Sequence, residues 1–117
     1  LGITVPQFPN MFCLYGPNTN PVTGSVIFML ECQVRYLTKC VVRILENGFQ
    51  SIECRQDVHD DYNQRLDAEH ENLVWRQPLV ESYYNNSEGR VTTNYAWRLI
   101  DYWNATHEPE MSDFEWA

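Results

Sequence analysis

The apolar residues at positions 11–15 form a continuous run, MFCLY, rather than an alternating one. Such a run is typical of a strand that is covered on both faces, as in a parallel sheet, because a half-exposed strand alternates apolar and polar side chains. Pro6 and Pro9 precede the run and indicate an extended loop. The chain contains no second run of this kind to pair with the first, so we expect it to be a piece of a larger α/β domain.

A polar turn that begins at Gly16 leads into a long helical pattern. Apolar residues then recur at steps of three or four, as they do on one face of a helix. The residues of this face are Val26, Leu30, Val34, Leu37, Val41 and Leu45, and Ile27, Cys40 and Ile44 widen it. Either Thr23 or Ser25 suits the N-cap, and Gly48 suits the C-terminal end. The pattern predicts a helix over residues 24–46 with this apolar face.

The residues after position 50 predict a link or short strand over residues 51–55 and then a second helix. Asp57 is a candidate N-cap of this helix, and Pro78 would close it. The weak apolar face of the helix consists of Val58, Tyr62, Leu66 and Leu73. The charged face consists of Asp67, Glu69, His70 and Glu71.

The C-terminal third predicts a hairpin, a short helix and an extended acidic tail. Residues 80–84 and 91–93 flank a polar turn and indicate a short hairpin with Gly89 in the turn. Three apolar residues at steps of three indicate the short helix, Trp97, Ile100 and Trp103. The predicted fold is therefore an α/β fragment: one buried strand, a long helix and a second helix, then a short hairpin and a C-terminal helix.

Composition and charge exclude several classes of function. The 117 residues suit one domain or a piece of one. The net charge of −8 argues against a nucleic-acid partner, because counterion release from phosphates needs clustered basic residues. No apolar run approaches the ~20 residues of a membrane span, and the first residues lack the features of a signal peptide. Cysteines in an apolar run and a helical pattern indicate free, mostly buried thiols and a cytoplasmic location.

Motifs for metal binding and nucleophilic catalysis are weak. His59-Asp60-Asp61 and Glu69-His70-Glu71 contain metal-ligand types, but the two histidines are three helical turns apart, too far for one ion. We interpret both segments as a solvated helix face and expect no metal site. Ser25 begins a helix, but no GxSxG motif surrounds it, so no catalytic nucleophile is indicated.

The loop of residues 16–25 is the strongest candidate for a binding site. A strand, a loop and a helix start, in this order, direct backbone N–H groups and the positive end of the helix toward an anion or an electron-rich ring. An ordinary connection between a strand and a helix has the same spacing. Judged by the spacing alone, an ordinary connection is favoured over a binding site. A second candidate is Tyr83 and Tyr84 with Arg90, which would stack on a ribose or base and hold a phosphate. Its alternative is a hairpin that packs these aromatics on the core.

Several short motifs of the chain occur in an order that is typical of one enzyme family, and most of them lie within residues 1–46. They are Leu1-Gly2, Phe8-Pro9-Asn10-Met11-Phe12, Gly16-Pro17-Asn18 and Glu31-Cys32-Gln33-Val34-Arg35-Tyr36. Weaker ones are Ser82-Tyr83-Tyr84 and Trp97-Arg98-Leu99-Ile100. With these motifs the whole chain resembles the C-terminal part of a Baeyer–Villiger flavin monooxygenase, of the 4-hydroxyacetophenone monooxygenase type.

The resemblance implies a fragment that completes the FAD domain of a flavoprotein with two dinucleotide domains. Residues 1–50 would be the C-terminal strand and helix of the FAD-binding domain, and residues 51–117 a helical and hairpin extension. Enzymes of this family use FAD, NADPH and O₂ to insert one oxygen atom into a ketone, or to oxidise a heteroatom such as the sulfur of a sulfide. The implied partners are a small-molecule ketone or sulfide and the remainder of the parent chain.

The resemblance also assigns roles by position. It implies that the flavin contacts Gly16, Pro17, Asn18, Thr23, Gly24 and Ser25. It implies that the substrate faces Asn20, Pro21, Val22 and Thr23, and that Tyr83 contacts the NADP ribose. Both glycine-rich dinucleotide motifs and the catalytic arginine of the family are absent, so no residue here is assigned a catalytic role. We therefore expect a fragment that is inactive alone, binds FAD weakly or not at all, and self-associates through an apolar edge.

An alternative function is a stand-alone acidic protein-binding module without catalytic activity. Such a module would use the aromatic residues between positions 83 and 103 as a contact patch. It would also cover residues 11–15 with its own side chains, whereas a fragment leaves them open.

Overall fold

The computed structural model describes residues 1–77 and 82–117 of the chain. Within these residues the fold is α/β, with three α-helices and a sheet of two short strands. The helices are α1 (Val26–Asn47), α2 (Gln56–His70) and α3 (Leu99–Ala105), and the strands are β1 (Ile52–Cys54) and β2 (Phe114–Trp116). Two short 3-10 turns, Val74–Arg76 and Met111–Asp113, complete the regular structure. None of these helices is long and apolar enough to span a membrane.

The ends of α1 agree with the sequence prediction, but its buried face does not. Ser25 caps the helix by accepting a hydrogen bond from the Phe28 N–H (3.3 Å), and Gly48 ends it in the left-handed conformation. The buried residues of the helix are Met29, Cys32, Gln33, Tyr36 and Cys40. The predicted apolar face is largely exposed, because the packing partners found among residues 1–77 and 82–117 lie mainly on the neighbouring side of the helix.

The prediction of a buried strand at residues 11–15 is wrong. This segment follows an irregular path, and Met11, Leu14 and Tyr15 are exposed. The Tyr15 backbone has a φ of 54°, in the left-handed region that strand residues avoid. A strand needs a neighbouring strand to bond its backbone groups in a ladder. The described residues give this segment only separate bonds, such as that from the Cys13 N–H to the Ile3 carbonyl (2.7 Å), and no ladder.

The two strands join distant parts of the chain. β1 and β2 pair antiparallel, with Ile52 opposite Trp116 and Cys54 opposite Phe114. This pairing confirms a strand within residues 51–55 and an extended end to the tail. Sequence patterns indicated neither the pairing nor the 3-10 turn before β2, because two three-residue strands carry too little periodicity.

Helix α2 corrects two predictions about its residues. The helix begins at Gln56 with Arg55 in the cap position, so Asp57 lies in the first turn and binds the Arg55 guanidinium (2.6 Å) instead of capping. Leu66 is buried, as predicted. His70 is buried too, although the sequence places it on the charged face. The helix ends at His70, before the predicted stop at Pro78, which lies outside the described residues.

The turn of the predicted hairpin is confirmed. Asn85 and Val91 form an antiparallel bridge, and the Gly89 N–H donates to the Asn86 carbonyl (2.9 Å). Gly89 has a φ of 76°, which suits a glycine in a tight turn. The predicted first arm, residues 80–84, lies partly outside the described residues.

The core consists of two clusters that α1 joins. One contains Ile3, Tyr36, Cys40, Ile52 and Phe114, and the other Met29, Cys32, Tyr95 and Tyr102. All four cysteines are free; Cys32 and Cys40 are buried, and the other two are half-buried. Burial raises the pKa of the Cys40 thiol to about 11, so this side chain behaves as a small apolar group.

Candidate functional site

The first half of the candidate loop is fixed by Asn18. The side chain of Asn18 is buried, and its Nδ2 donates to the carbonyls of Val91 (2.8 Å) and Asn94 (3.1 Å). The Asn18 N–H donates to the Thr92 carbonyl (3.0 Å). Asn18 has a φ of 55°, a conformation that asparagine tolerates better than most residues. These bonds tie the loop to residues 91–94.

Asn20 extends the same connection by two residues. Its N–H donates to the Thr93 carbonyl (2.9 Å), and its carbonyl accepts from the Tyr95 N–H (3.0 Å), which makes a short parallel bridge. Its Nδ2 donates to Asn94 Oδ1 (2.8 Å), and its own Oδ1 accepts from the Tyr15 hydroxyl (2.7 Å). The loop is therefore rigid from Asn18 to Asn20.

Asn94, which sequence analysis did not single out, is the centre of this network. It is fully buried, and its carbonyl lies 3.0 Å from His70 Nε2 as well as near Asn18. Burial lowers the pKa of His70, which favours a neutral ring that donates from Nε2 to this carbonyl. Within the described residues, His70 Nδ1 and Asn94 Nδ2 are buried without a hydrogen-bond partner. Asn94 thus holds helix α2 and the loop together.

Two glycines set the path of the loop. A Cβ on Gly16 would lie 2.2 Å from the Gly2 carbonyl oxygen, so only glycine allows the two backbone segments to approach this closely. Gly24 has a φ of 125°, and a Cβ there would lie 2.4 Å from Leu99 Cδ1. The beginning of the loop therefore packs on the N-terminal segment, and its end packs on the start of α3.

The second half of the loop is open to solvent at the positive end of α1. Val22, Thr23, Gly24 and Ser25 are all exposed. The 22-residue helix has no acidic residue in its first turn, so no carboxylate neutralises the partial positive charge there. Backbone N–H groups at such an end suit an electron-rich group of a cofactor.

A cavity of about 700 Å³ lies beside the first half of the loop. Pro17 and Asn18 line it, but the other predicted flavin, substrate and NADP residues do not. Arg90 also lines it and is held by Asp67 (3.0 Å) and Asn63 (3.0 Å). The fold therefore separates Pro17 and Asn18, which lie beside the cavity, from the exposed residues 22–25 at the helix start.

Tyr83 stands apart from both groups. Its side chain is 90% exposed, and its ring centroid lies 6.0 Å from that of Tyr84. Tyr84 in turn packs edge-on against Trp75, at 5.4 Å. Arg90 is bound to Asp67, so the proposed clamp of Tyr83, Tyr84 and Arg90 on a phosphate is not assembled in this structure.

Histidine, cysteine and carboxylate side chains do not gather into a metal site within residues 1–77 and 82–117. His59 bonds to Asp60 (3.0 Å) and to Asn63 on its own helix, and His70 is buried against Asn94. The two histidines of α2 therefore make separate structural contacts.

Gln33 is a second buried polar residue that sequence analysis did not identify as structural. Its Oε1 accepts from the Tyr15 N–H (2.8 Å), and its Nε2 donates to the Tyr102 hydroxyl (3.0 Å). The available signal was a polar residue between apolar positions of the helix, Met29 and Tyr36, within the Glu31–Tyr36 motif. Gln33 positions the segment that leads into the candidate loop.

No family model matches the chain. The chain is nevertheless 38% identical over 115 residues to the uncharacterised monooxygenase y4iD of Sinorhizobium fredii, a match that covers 97% of this chain and 17% of that protein. It is 32% identical over 120 residues to the FAD-binding monooxygenase ktnD of Aspergillus niger, covering 99% of this chain and 19% of that protein. A Baeyer–Villiger monooxygenase of Pseudomonas aeruginosa is 31% identical over 102 residues, covering 84% of this chain and 19% of that protein.

All three relatives are named monooxygenases, one of them FAD-binding and one Baeyer–Villiger, and each is much longer than the present chain. The chain spans less than a fifth of the length of each of the three. Nearly all of it is therefore similar to one segment of FAD-binding and Baeyer–Villiger monooxygenases.

Proposed function

We propose that this chain is the C-terminal segment of an FAD- and NADPH-dependent monooxygenase. The parent enzyme inserts one oxygen atom of O₂ into a ketone, in the manner of the 4-hydroxyacetophenone type, or oxidises a heteroatom such as sulfur. The observation that carries the proposal is similarity along 97% of the chain to a monooxygenase and along 99% to an FAD-binding one. Within the parent, residues 1–50 complete the FAD domain, residues 51–117 form an extension, and the enzyme works in the cytoplasm.

The loop at the start of α1 contributes to the flavin site. FAD, when bound, supplies the oxygen-activating chemistry, and this chain supplies N–H groups and the helix dipole toward its electron-rich edge. The residues proposed for this contact are Gly16, Pro17, Asn18, Thr23, Gly24 and Ser25. The exposed helix start without an acidic residue supports the assignment, because it leaves room and positive potential for the ring.

The substrate is proposed to face Asn20, Pro21, Val22 and Thr23. Asn20 makes four hydrogen bonds through its backbone and side chain. These bonds fix the position of the part of the loop that is proposed to face the substrate. The proposed NADP ribose contact is Tyr83, whose exposure leaves its ring available. The catalytic residues of the enzyme lie outside this chain.

The alternative of a protein-binding module keeps only part of its contact patch: Tyr83 is exposed, but several of the other aromatic residues pack in the core. Tyr95 and Tyr102 pack edge-on in the core at 5.0 Å, and Trp97 lies 5.5 Å from Tyr95. Trp103 packs on the same cluster and carries the Arg35 guanidinium over its ring (4.9 Å). These aromatic rings support the fold and do not present a surface to a partner.

The test is expression of the complete reading frame that contains this chain. We expect the purified protein to carry FAD, visible by its absorbance, and to oxidise NADPH in the presence of a ketone. A glycine-rich strand–turn–helix motif should lie upstream of Leu1. A full-length protein that purifies without flavin and ignores added FAD would show that the proposal is wrong.

Thr23→Glu probes the loop within that protein. The new carboxylate would lie at the positive helix end beside the flavin, so we expect ketone oxygenation to fall at least about tenfold, or about 1.4 kcal/mol. Gln64→Glu adds the same charge at an exposed position of α2 and should preserve activity. Equal activity of the two variants would contradict the placement of the flavin at this loop.

A further inference from the structure

One face of α1 is apolar and open. We name it the open stripe, and it consists of Val26, Ile27, Leu30, Val34, Leu37, Val41 and Leu45. Ile27 is 68% exposed, Val34 47% and Leu45 74%, although their spacing is that of a helix face that packs on a core. The open stripe contains no charged residue, although the chain as a whole has a net charge of −8.

The open stripe is distinct from the face that α1 buries in this chain. At about 100° per residue, the buried residues from Met29 to Cys40 and the open stripe lie side by side, about a third of a turn apart. The charged residues Lys39 and Arg43 lie on the far side of the buried face, where both bind Glu108. The helix thus presents two apolar faces, and the described residues bury one of them and leave most of the other exposed.

The segment of residues 8–15 borders the open stripe and enlarges it. The Tyr15 N–H bonds to Gln33 (2.8 Å), and Phe12 packs on the cluster that includes Ile44. Gln33 and Ile44 lie at the boundary between the two faces of α1, so the segment runs along that boundary. Its exposed apolar side chains therefore extend the surface; they are Phe8, Met11, Leu14 and Tyr15. Exposed apolar side chains grouped on one surface mark interaction sites in soluble proteins.

We infer that the open stripe of α1, with the neighbouring residues 8–15, is the surface on which the rest of the longer monooxygenase chain packs. This inference rests on the proposed function, which makes the chain a segment of a larger flavoprotein. The relatives that contain this segment have more than four fifths of their length outside it. The occupant is thus carried on the same polypeptide, and an uncharged stripe fits its apolar side chains.

The test measures solvent access in the wild-type full-length protein. Hydroxyl-radical footprinting reports the oxidation rates of Ile27, Val34 and Leu45, with exposed Val42 and buried Leu66 as internal references. We expect the stripe residues to be oxidised as slowly as Leu66. Oxidation as fast as that of Val42 would overturn the inference. Protection that disappears on dilution, as a dimer separates in sedimentation, would also overturn it, because a second copy would then cover the stripe.

Two adjacent valines supply a matched pair of variants. Val41 is 38% exposed and lies in the open stripe, whereas Val42 is 43% exposed and lies off it. The surroundings of Val42 are polar: Thr38, Lys39, Arg43, Glu46, Asn47 and Glu108. We expect Val41→Glu to lose most of the soluble full-length protein or to lower its melting temperature, and Val42→Glu to match the wild type. Equal behaviour of the two variants would contradict the inference.

Flavin content separates this inference from the proposed function. A full-length protein that protects the stripe but never holds FAD disproves the function and leaves the packing surface in place. A full-length protein that holds FAD while its open stripe is oxidised freely disproves the packing surface and leaves the proposed function in place.

Discussion

At the scale of single residues, a few buried asparagines decide how the loop is held. Asn94 accepts at its carbonyl from Asn18 and His70 and at its side chain from Asn20, while fully buried. A buried polar group without a hydrogen-bond partner lowers the stability of the folded state. Each of these bonds therefore disfavours other conformations of the loop. The loop therefore keeps one conformation without the help of a strand.

Asn18→Gly and Asn18→Ala separate the hydrogen bonds from the backbone conformation. Glycine keeps the left-handed φ but loses both side-chain bonds, and we expect it to lower the free energy of unfolding by about 1–3 kcal/mol. Alanine adds the strain of a left-handed φ, about 1 kcal/mol more. Urea denaturation measures both. A stable Asn18→Gly variant would mean that the two carbonyl contacts do not hold the loop.

His70 makes the stability of the fold dependent on pH. Burial lowers the pKa of His70 below its usual value of 6.5, and Arg90 reinforces the shift. The hydrogen bond to the Asn94 carbonyl and the charges of Asp67 and Glu69 oppose it. The unfolded chain therefore takes up a proton as pH falls through 6.5, whereas the folded chain takes it up only at a lower pH. The contribution of His70 to stability is complete above pH 6.5 and decreases as the pH falls below that value. The slope is at most about 1.4 kcal/mol per pH unit.

His70→Gln tests this dependence. The Gln side chain is long enough to donate to the Asn94 carbonyl but has no proton to gain. Urea unfolding between about pH 7.5 and about pH 5.5 should show a smaller loss of stability in the variant than in the wild type. Parallel pH curves for the two proteins would exclude His70 as the source.

At the scale of elements, α1 organises the chain. Its capped start and its glycine end follow from local sequence. The side chains of its buried face join both core clusters, which also include residues of β1, β2 and α3. The C-terminal end is the simplest part of this arrangement. The N–H of Gly48 donates to the Ile44 carbonyl while the residue has a φ of 71°.

Gly48→Ala measures how much the left-handed backbone conformation at the C-terminal end of α1 depends on glycine. A Cβ at this position would meet no atom within 4 Å, so the effect reports backbone conformation alone. We expect a loss of about 1 kcal/mol in the free energy of unfolding, and a smaller loss for Gly48→Asn, because asparagine tolerates the left-handed region. Equal losses for alanine and asparagine would point to a cause other than φ.

At the scale of the whole molecule, the chain is longer and thinner than a domain of its size. Its extents are 52 × 27 × 18 Å, and the radius of gyration of its Cα atoms is 15.1 Å. A compact domain of this length has a radius of gyration of about 13 Å. An elongated body with an open apolar stripe is the shape expected of a segment that packs on a larger partner.

The isolated polypeptide should therefore be inactive. We expect the purified 117-residue chain to show no flavin absorbance and no NADPH oxidation, because the glycine-rich dinucleotide motifs are absent from its sequence. Its open stripe should make it self-associate in sedimentation experiments. Flavin retained through purification, or a monomer at high concentration, would each contradict these expectations.

The sequence by itself determined the local features of this protein. The sequence narrowed the N-cap of α1 to Thr23 or Ser25 and predicted the stop at Gly48, the turn at Gly89 and the short helix around Ile100. Each of these features depends on residues within one or two turns, so propensity and capping chemistry suffice to predict it. The motifs at the start of the chain also indicated its flavoprotein relatives, because such motifs are contiguous in sequence.

Only the tertiary structure decided which faces are buried and which residues meet. The buried face of α1, the pairing of β1 with β2, and the contact of His70 with Asn94 all depend on segments far apart in the sequence. The expected strand at residues 11–15 failed for the same reason, since a strand exists only when another segment bonds its backbone. Local pattern therefore fixed where α1 begins and ends, while the available packing partners fixed which of its faces is buried.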